Sequence, residues 1–484
     1  MSLVRLDNVS KAYAGDFVLE GVSLQINEKD KIGLIGRNGT GKTTIFRLIT
    51  GETGPEAGGI ERKRRVRIAY LAQLPDVPAD TPLLEIVLRA FEHLREMERE
   101  LRALEQRMAN GDEAALDDYG HLQDRFSVAG GYEFPARARQ VLTGLGFTEE
   151  EFELPFAALS GGQRTRLMLA LLLLQDADLL LLDEPENHLD LQAREWLEEF
   201  LQGWPRAYVI ISHDRRMLNS AAETIVELDQ YGLRVFPGNY DAYVVGKARL
   251  LEDQAKAYER QQEYIQKEMT FINRFRYKAT KARQVQSRIA RLDKLERLGA
   301  PNRDSATANF RLGEVVRSGQ VVLEARHLSM GYDNLPLYEN VSFTVERGQR
   351  VGIIGPNGAG KTTMLRHISG RLPEAQGEVT LGHKVALGFF DQQHGDLNPA
   401  SDVLSEASAA KPEWTPEQVR TFLGRFLFIG DDAFKPVSAL SGGERGRLSL
   451  AKLILSNANL ILLDEPTNHL DIASREALEA ALTA

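Results

Sequence analysis

The 484-residue sequence contains no cysteine, which excludes disulfide bonds, thiolate zinc sites and cysteine-ligated iron–sulfur clusters. It also has no uninterrupted apolar stretch of the ~18 to 20 residues that a membrane-spanning helix requires. The richest apolar run, residues 167–182, is broken by Gln175, Asp176 and Asp178. The first residues lack the charged-then-apolar pattern of a secretory signal peptide. We therefore expect a cytoplasmic protein, and a role at a membrane would require a second chain to supply the span.

Acidic residues outnumber basic ones in the whole chain, but basic residues predominate in one segment. The net charge is −10, which by itself argues against a nucleic-acid partner. Residues 271–298 nevertheless contain nine basic residues and only two acidic ones. The basic residues are Arg274, Arg276, Lys278, Lys281, Arg283, Arg288, Arg291, Lys294 and Arg297. A local basic patch on an acidic protein is typical of a surface that contacts phosphate groups. The alternative interpretation is a solvated spacer between two domains.

A phosphate-binding sequence occurs twice. The pattern G-x-x-x-x-G-K-[ST] is found at residues 36–43 and again at 355–362. Each copy follows an apolar segment that we predict to be a strand, residues 31–35 and 350–354, and each opens a predicted helix. This strand–loop–helix context distinguishes the motif from a chance glycine-rich turn. The chain is therefore predicted to bind nucleotide at two places.

The residue types in the two loops match the needs of a polyphosphate. Glycines allow backbone N–H groups to close around the phosphates at a helix N-terminus. Lys42 and Lys361 are placed to reach the β- and γ-phosphates, and the hydroxyls of Thr43 and Thr362 can hold Mg²⁺. ATP with Mg²⁺ is the expected ligand.

The repeat extends well beyond the loops. Three residues recur 319 positions later: Tyr13 as Tyr332, Gly36 as Gly355 and Gln73 as Gln392. Three others recur 281 positions later: Ser160 as Ser441, Glu184 as Glu465 and Asp190 as Asp471. Such long-period similarity indicates two copies of one domain. The change of 38 residues in the offset places an insertion in the first copy.

The spacing of apolar residues predicts the domain boundaries. Residues 1–240 and 316–484 both show alternating strands and helices, which is typical of an α/β fold. Within the first copy, residues 88–127 show two narrow apolar stripes on charged helices, which predicts a helical arm. Residues 241–315 are rich in charge and predict a long helical hairpin, with the basic patch at its tip.

Two further motifs recur in register. A run of aliphatic residues ends in Asp183 and Glu184 in the first copy and in Asp464 and Glu465 in the second. The first acid of each pair is placed to hold Mg²⁺, and the second to orient or polarise the water that attacks the γ-phosphate. The string Leu-Ser-Gly-Gly, at 159–162 and 440–443, precedes a helix each time. It predicts a second anion site at a helix N-terminus, and a simple helix cap is the alternative.

This combination of motifs resembles the nucleotide-binding domains of the ABC superfamily over nearly the whole chain. In that family's terms the chain has two Walker A loops, two Q-loop glutamines, two signature strings, two Walker B strands and a switch histidine, His213. The string Asn-His-Leu-Asp, at 187–190 and 468–471, is similar to that of the ABC-F group. Two fused ATPase domains, an arm, a charged linker and no span also match that group. Glu186 departs from the family, which has threonine there, as Thr467 does.

The resemblance implies two ATP sites, each formed between one copy's phosphate loop and the other copy's signature. In site one the resemblance assigns nucleotide contacts to Tyr13, Gly36, Asn38, Gly39, Gly41, Lys42, Thr43, Thr44, Gln73, Ser441, Gly442 and Gly443. In site two it assigns them to Tyr332, Gly355, Asn357, Gly358, Gly360, Lys361, Thr362, Thr363, Gln392, Ser160, Gly161 and Gly162. The tyrosines would stack on adenine, but a place in the core is an equal alternative for each.

The resemblance also implies metal and catalytic residues. Mg²⁺ would be held by Thr43, Gln73 and Asp183 in site one and by Thr362, Gln392 and Asp464 in site two. Hydrolysis would depend on Glu184, Glu465 and His213.

The implied partner of an ABC-F protein is the ribosome. The resemblance implies contacts of the linker with rRNA and tRNA near the tRNA exit site, and the basic patch from Arg274 to Arg291 suits that role. Two alternatives remain: a soluble ATPase subunit of an ABC transporter and an ABC-F ATPase that binds DNA branches. The second copy also ends early, because the counterpart of His213 would be residue 494, beyond Ala484. We therefore expect a chain shortened at its C-terminus.

Overall fold

The structure is a computed structural model of the chain. It describes residues 1–13, 15–70, 77–187, 189–229, 232–275, 281–298, 316–332, 335–372, 375–391, 396–467 and 470–483. Among the helices within these ranges, none has the length and apolarity needed to cross a membrane.

The first copy contains nine strands and eight α-helices within the residues that the structure describes. The strands are β1 Ser2–Tyr13, β2 Asp16–Asn27, β3 Lys31–Gly36, β4 Ala57–Arg62, β5 Ile68–Tyr70, β6 Leu179–Asp183, β7 Ala207–Ile211, β8 Thr224–Asp229 and β9 Gly232–Pro237. The helices are α1 Lys42–Thr50, α2 Leu83–Leu88, α3 Glu92–Ala109, α4 Ala115–Val128, α5 Phe134–Gly144, α6 Gly161–Leu174, α7 Leu191–Gln202 and α8 Arg215–Ala221.

A six-stranded sheet forms the centre of the first copy. Its order is β5-β6-β7-β3-β8-β9, and every pair is parallel except β8 with β9. The strand β3 lies between β7 and β8, so its backbone is paired on both edges, and Leu34 is fully buried. The phosphate loop and the paired acids follow β3 and β6 at the carboxyl edge of the sheet, where open α/β sheets bind ligands. The expected α/β fold is confirmed.

A smaller antiparallel sheet and the arm complete the first copy. The small sheet has the order β2-β1-β4 and packs its buried residues with those of β3 and α1 in one apolar cluster. The arm consists of α3 and α4, with Leu101, Leu104 and Leu122 buried between them and against the helices beneath. The apolar stripes of the sequence therefore correspond to the contact faces of this helical pair.

Two helices form the linker. They are α9 Tyr240–Phe275 and α10 Ala282–Asp293. Helix α9 has 36 residues and begins on the first copy, where Tyr243 donates a hydrogen bond of 2.9 Å to Glu227 on β8. Lys247 contacts the same carboxylate. These buried polar contacts fix the base of the hairpin to the sheet.

The second copy repeats the small sheet and the helices around the phosphate loop. Its strands are β10 Val321–Tyr332, β11 Leu335–Glu346, β12 Gln376–Leu381, β13 Leu387–Phe390 and β14 Leu460–Leu463. Its helices are α11 Lys361–Ile368, α12 Val403–Ala410, α13 Pro416–Gly424, α14 Gly442–Leu455 and α15 Ile472–Thr483. The small sheet has the order β11-β10-β12, which matches β2-β1-β4.

The strand expected at residues 350–354 is wrong for this structure. These residues are not assigned to a strand, and Ile354 is 90% exposed. In the first copy the equivalent strand is hydrogen-bonded on both sides, by β7 and β8. Among the described residues of the second copy, only β13 and β14 form a parallel pair, and neither pairs with residues 350–354. An apolar segment without neighbouring strands has no ladder to join.

The two copies pack against each other. Ile472, at the start of α15, packs on the apolar core of the first copy. Arg215 on α8 forms an ion pair with Glu476 on α15. The backbone N–H of Asn357, in the second phosphate loop, donates a 3.3 Å hydrogen bond to Asp190 of the first copy. The halves therefore meet with the loop after β6 facing the second phosphate loop.

Candidate nucleotide sites

Both phosphate loops have the backbone that the motif requires. Gly41 and Gly360 precede their helices with φ of 97° and 86°, a left-handed conformation that favours glycine. A Cβ atom on Gly41 would lie 2.7 Å from Val18, so a side chain has no room there. Each loop can therefore turn its N–H groups inward at the start of a helix, as an anion requires.

The lysines of the two loops hold equivalent positions. Lys42 Nζ donates hydrogen bonds to the carbonyl oxygens of Gly36 at 2.8 Å and Arg37 at 3.0 Å. Lys361 Nζ does the same to Gly355 and Pro356, both at 2.8 Å. Burial lowers the pKa of Lys42, whereas the charge of Glu184 opposes that change. A cation is thus held across each loop, on the side that a polyphosphate would occupy.

A pair of oxygen ligands lies beside each loop. Thr43 Oγ1 donates a 2.9 Å hydrogen bond to Asp183, and Thr362 Oγ1 donates one of 3.1 Å to Asp464. Burial raises the pKa of both aspartates, and these hydrogen bonds oppose the rise. Asp464 Oδ2 is buried and has no hydrogen-bond partner within the part of the chain that the structure describes. A hydroxyl and a carboxylate with a spare oxygen are the hard ligands that Mg²⁺ prefers, so the residues fit the ion.

Glu184 is held in a strained backbone turn directly after β6. Its φ is 47°, a left-handed value that is uncommon for a residue with a side chain. Its N–H donates a 2.8 Å hydrogen bond to Ile211 of β7, and Asn187 Nδ2 donates one of 2.8 Å to its carboxylate. The turn after β14 repeats this conformation, because Glu465 also has a φ of 47°.

His213 lies next to Glu184. Its Nε2 is 3.4 Å from Glu184 Oε1, which is long for a hydrogen bond but close enough for a strong electrostatic interaction when the imidazole is protonated. The interaction with His213 lowers the pKa of Glu184 to about 2, against the opposing effect of burial. The structure thus brings Lys42, Thr43, Asp183, Glu184 and His213 together at one edge of the sheet.

Both signature serines cap helices in this structure. Ser160 accepts a hydrogen bond from Gln163 N, and Ser441 accepts one from Glu444 N. The side chains of Gln163 and Glu444 in turn accept from the serine N–H groups, which completes a capping box at each helix. Both serines therefore cap their helices, and their role toward a nucleotide stays a prediction.

Charges from the second copy reach the first phosphate loop. Burial lowers the pKa of Arg447 on α14, and the positive charge of Arg37 in the first loop lowers it further. The negative charge of Asp471, which also belongs to the second copy, acts to raise the pKa of Lys42 in the first loop. Since α14 follows the second signature string, this proximity supports a site shared between the two copies.

The remaining predicted residues have mixed outcomes. Tyr13 ends β1 and is 41% exposed, so its ring is not a core residue. Tyr332 ends β10, but its side chain lies outside the described residues, as do Gln73 and Gln392. Their assignments stay predictions.

Sequence reasoning missed three residues at the site. The motifs assign no role to Asn187, Ser212 or Arg475. Asn187 contacts Glu184 directly. Arg475 donates from Nε to the carbonyl oxygen of Thr467 at 3.0 Å and lies near the acids of the first copy. The mirrored string Asn-His-Leu-Asp could have pointed to Asn187, whereas only the packing of the halves reveals Arg475.

Comparison with known proteins agrees with this geometry. A family model described as "ABC transporter" matches residues 19–187 and 338–468, and a second model with that description matches 226–310. The "Putative ATP-binding protein YdiF" of Bacillus subtilis is 40% identical, over 100% of this chain and 76% of that protein. The "ABC transporter F family member 5" of Arabidopsis thaliana is 36% identical, over 99% of this chain and 71% of that protein.

A solved structure shares the fold across both copies. The archaeal ribosome recycling factor aABCE1, solved in complex with the ribosomal stalk protein aP1, covers 98% of this chain with a TM-score of 0.59. The alignment includes 81% of that chain, at 18% sequence identity. This likeness concerns the arrangement of the fold alone.

The fold and the paired motifs define a tandem ATPase of the ABC class. The chain belongs to the ABC family and, by its relatives, to the ABC-F group. Its activity is the hydrolysis of ATP by two ABC domains that pair within one chain.

Proposed function

We propose that this chain binds the ribosome near the tRNA exit site and couples its ATP state to translation. The single observation that carries this proposal is a rigid helical hairpin with positive charge gathered at its tip. A flexible spacer between two ATPase domains needs neither of these features.

Three side-chain contacts fasten the hairpin along its length. Arg288 on α10 donates to both carboxylate oxygens of Glu268 on α9, at 2.8 and 2.9 Å. Its guanidinium also lies 3.9 Å from the ring centroid of Phe271. Nearer the base, Gln261 bridges to the backbone of Glu296 and Leu298, both at 2.8 Å. The two helices are therefore held together by side-chain contacts, so a movement of the base of the hairpin can be transmitted to its tip.

The charge at the tip is accessible to a large partner. Arg274, Arg283 and Arg291 are exposed, and acidic residues are absent from the described residues 281–292. Arg276 and Lys278 belong to the same patch in the sequence but lie outside the described residues. Phosphate contacts supply most of the sequence-independent affinity for RNA, so a ribosomal RNA or tRNA backbone suits this surface.

The ATPase sites would control the hairpin through the pairing of the two copies. We assign Glu184 and Glu465 to the positioning of the attacking water, Asp183 and Asp464 to Mg²⁺, and His213 to the γ-phosphate of site one. Each ATP would join a phosphate loop to the opposite signature string, and hydrolysis would release the halves. The linker, which we place at residues 241–315, connects these two halves directly.

The test is ribosome binding after neutralisation of the hairpin tip. Replacing Arg274, Lys281, Arg283 and Arg291 with Gln should weaken cosedimentation with ribosomes and lower the salt dependence by roughly one logarithmic unit per lost phosphate contact. ATP turnover without ribosomes should stay the same, because these residues lie far from both phosphate loops.

A matched control separates the patch from total charge. Arg5, Lys29, Arg326 and Arg420 are exposed basic residues of the two ATPase copies. Their replacement with Gln removes the same charge and should leave ribosome binding within about twofold of the unmodified chain. Equal losses in both variants, or no loss in either, would contradict the proposal and favour a transporter subunit. Loss of binding to branched DNA but not to ribosomes would favour the DNA alternative.

A further inference from the structure

Glu186 distinguishes the first copy from the second, where Thr467 holds the same position. Its side chain is only 2% exposed. A buried carboxylate is costly unless its oxygens are hydrogen-bonded or paired with a positive charge. The partners of Glu186 therefore indicate why the residue is tolerated beside the nucleotide site.

One oxygen of Glu186 binds the segment that carries His213. Ser212 Oγ donates to Glu186 Oε1 at 2.6 Å, and the backbone N–H of His213 donates to the same oxygen at 3.1 Å. Ser212 is fully buried, and its hydroxyl oxygen accepts a further 2.9 Å hydrogen bond from Asp214 N. The carboxylate thus fixes the backbone on both sides of the histidine.

Hydrogen bonds of its own do not define the position of the His213 ring in the described part of the chain. Neither ring nitrogen has a hydrogen-bond partner within the part of the chain that the structure describes, although the residue is 3% exposed. Its Nε2 lies 3.4 Å from Glu184 Oε1. The distance between these two side chains therefore depends on where the backbone of His213 is held.

The second oxygen of Glu186 links this arrangement to the other copy. Glu186 Oε2 is buried and has no hydrogen-bond partner among the described residues. Burial lowers the pKa of Arg475 on α15, and Glu186 is the first among the acids that oppose this change. Arg475 lies in the helix whose Ile472 packs on the first copy. A positive charge from the second copy therefore acts on the buried carboxylate of Glu186.

We propose that Glu186 is a positioning residue for site one, which holds the Ser212–His213 segment beside Glu184. It does not contact the reacting atoms. Site two has no equivalent carboxylate, since Thr467 stands there, so this way of positioning the segment belongs to site one. This inference relies on the roles of Glu184 and His213 proposed above.

The first test compares Glu186→Thr and Glu186→Gln in steady-state ATP hydrolysis. Thr is the residue that the second copy carries, but it is too short to accept from both Ser212 and His213. We expect Glu186→Thr to lower kcat about tenfold, with KM for ATP within about twofold, because the lost contacts position a group for hydrolysis rather than bind the nucleotide. Gln keeps an acceptor oxygen at the same reach, and Glu186→Gln should stay within about threefold of the original kcat.

A matched control and a stability measurement exclude a merely structural role. Glu198 is buried on α7 and forms an ion pair with Arg216, away from the phosphate loops. Glu198→Gln should leave kcat unchanged. A fall of kcat, ATP affinity and melting temperature together in both Glu186 variants would overturn the proposal, as would an unchanged kcat in Glu186→Thr.

The link to the second copy is tested with a double-mutant cycle. Arg475→Gln alone should lower kcat, and its combination with Glu186→Thr should lower kcat by clearly less than the product of the two separate effects. Fully independent effects would show that the charge of Arg475 does not act through Glu186. Glu184→Gln provides the reference: original turnover in that variant would refute the proposed catalytic assignment, whereas an unaffected Glu186→Thr beside an inactive Glu184→Gln would refute only the positioning role.

Discussion

The two copies of the ATPase domain carry the same motifs in different surroundings. Ile35 on β3 is 4% exposed, whereas its counterpart Ile354 is 90% exposed. The turns after the paired acids nevertheless match, because Glu184 and Glu465 share a φ of 47°. Tight turns, loops and helix caps are therefore set by nearby sequence, while the burial of a strand depends on partners that are distant in the chain.

The largest difference between the two copies is expected in ATP turnover, when Glu184 or Glu465 is replaced. Replacing Glu184 and Glu465 together with Gln should lower ATP turnover about 10²- to 10⁴-fold while nucleotide binding persists, because the amide keeps the size but cannot act as a base. Glu184→Gln alone should cost at least about tenfold and Glu465→Gln alone less than about twofold, since the buried β3 holds its loop more rigidly. Steady-state hydrolysis and fluorescent-nucleotide binding measure both quantities.

Two results would break this comparison of the sites. Original turnover in the double variant would remove both glutamates from the mechanism. Equal losses in the two single variants would mean that the local geometry of a phosphate loop is sufficient for hydrolysis, whether or not the segment before the loop is paired in a sheet.

An intermediate effect is expected for the matched isoleucines. Ile35→Ala should lower the free energy of unfolding by about 2–5 kcal/mol, because it leaves a cavity in a packed core. Ile354→Ala should change it by less than about 0.5 kcal/mol, as at other exposed positions. Urea unfolding followed by circular dichroism compares the two variants. Similar losses would show that residues 351–354 are buried in solution.

The smallest difference between the two copies is expected at the helix caps. Ser160→Ala and Ser441→Ala each remove a helix cap, and each should cost about 1 kcal/mol of stability. Both serines form the same capping box, so a difference between the variants larger than about 1 kcal/mol would show that the caps also depend on distant packing. Thermal melts of the two variants provide the comparison.

Much of the site could be predicted from the sequence, because the same motifs occur in both copies. Thr43 and Asp183 are far apart in the chain, as are Thr362 and Asp464, but each belongs to a motif that is recognisable by itself, so their meeting beside one Mg²⁺ ion could be predicted. The roles of Glu186 and Arg475 could not be predicted, because they arise where two segments far apart in the chain pack together. The strand expected at 350–354 is wrong for the same reason. The apolar pattern is clear in the sequence, but it does not show whether neighbouring strands pair with this segment.

The most direct test of the account is cosedimentation of the Glu184→Gln, Glu465→Gln chain with ribosomes in ATP and in ADP. The central claim is that ATP holds the two halves together and thereby sets the basic hairpin for binding. We predict at least about tenfold tighter association in ATP than in ADP, which is a typical coupling between two sites. Equal association in the two nucleotides, or none in either, would contradict the claim.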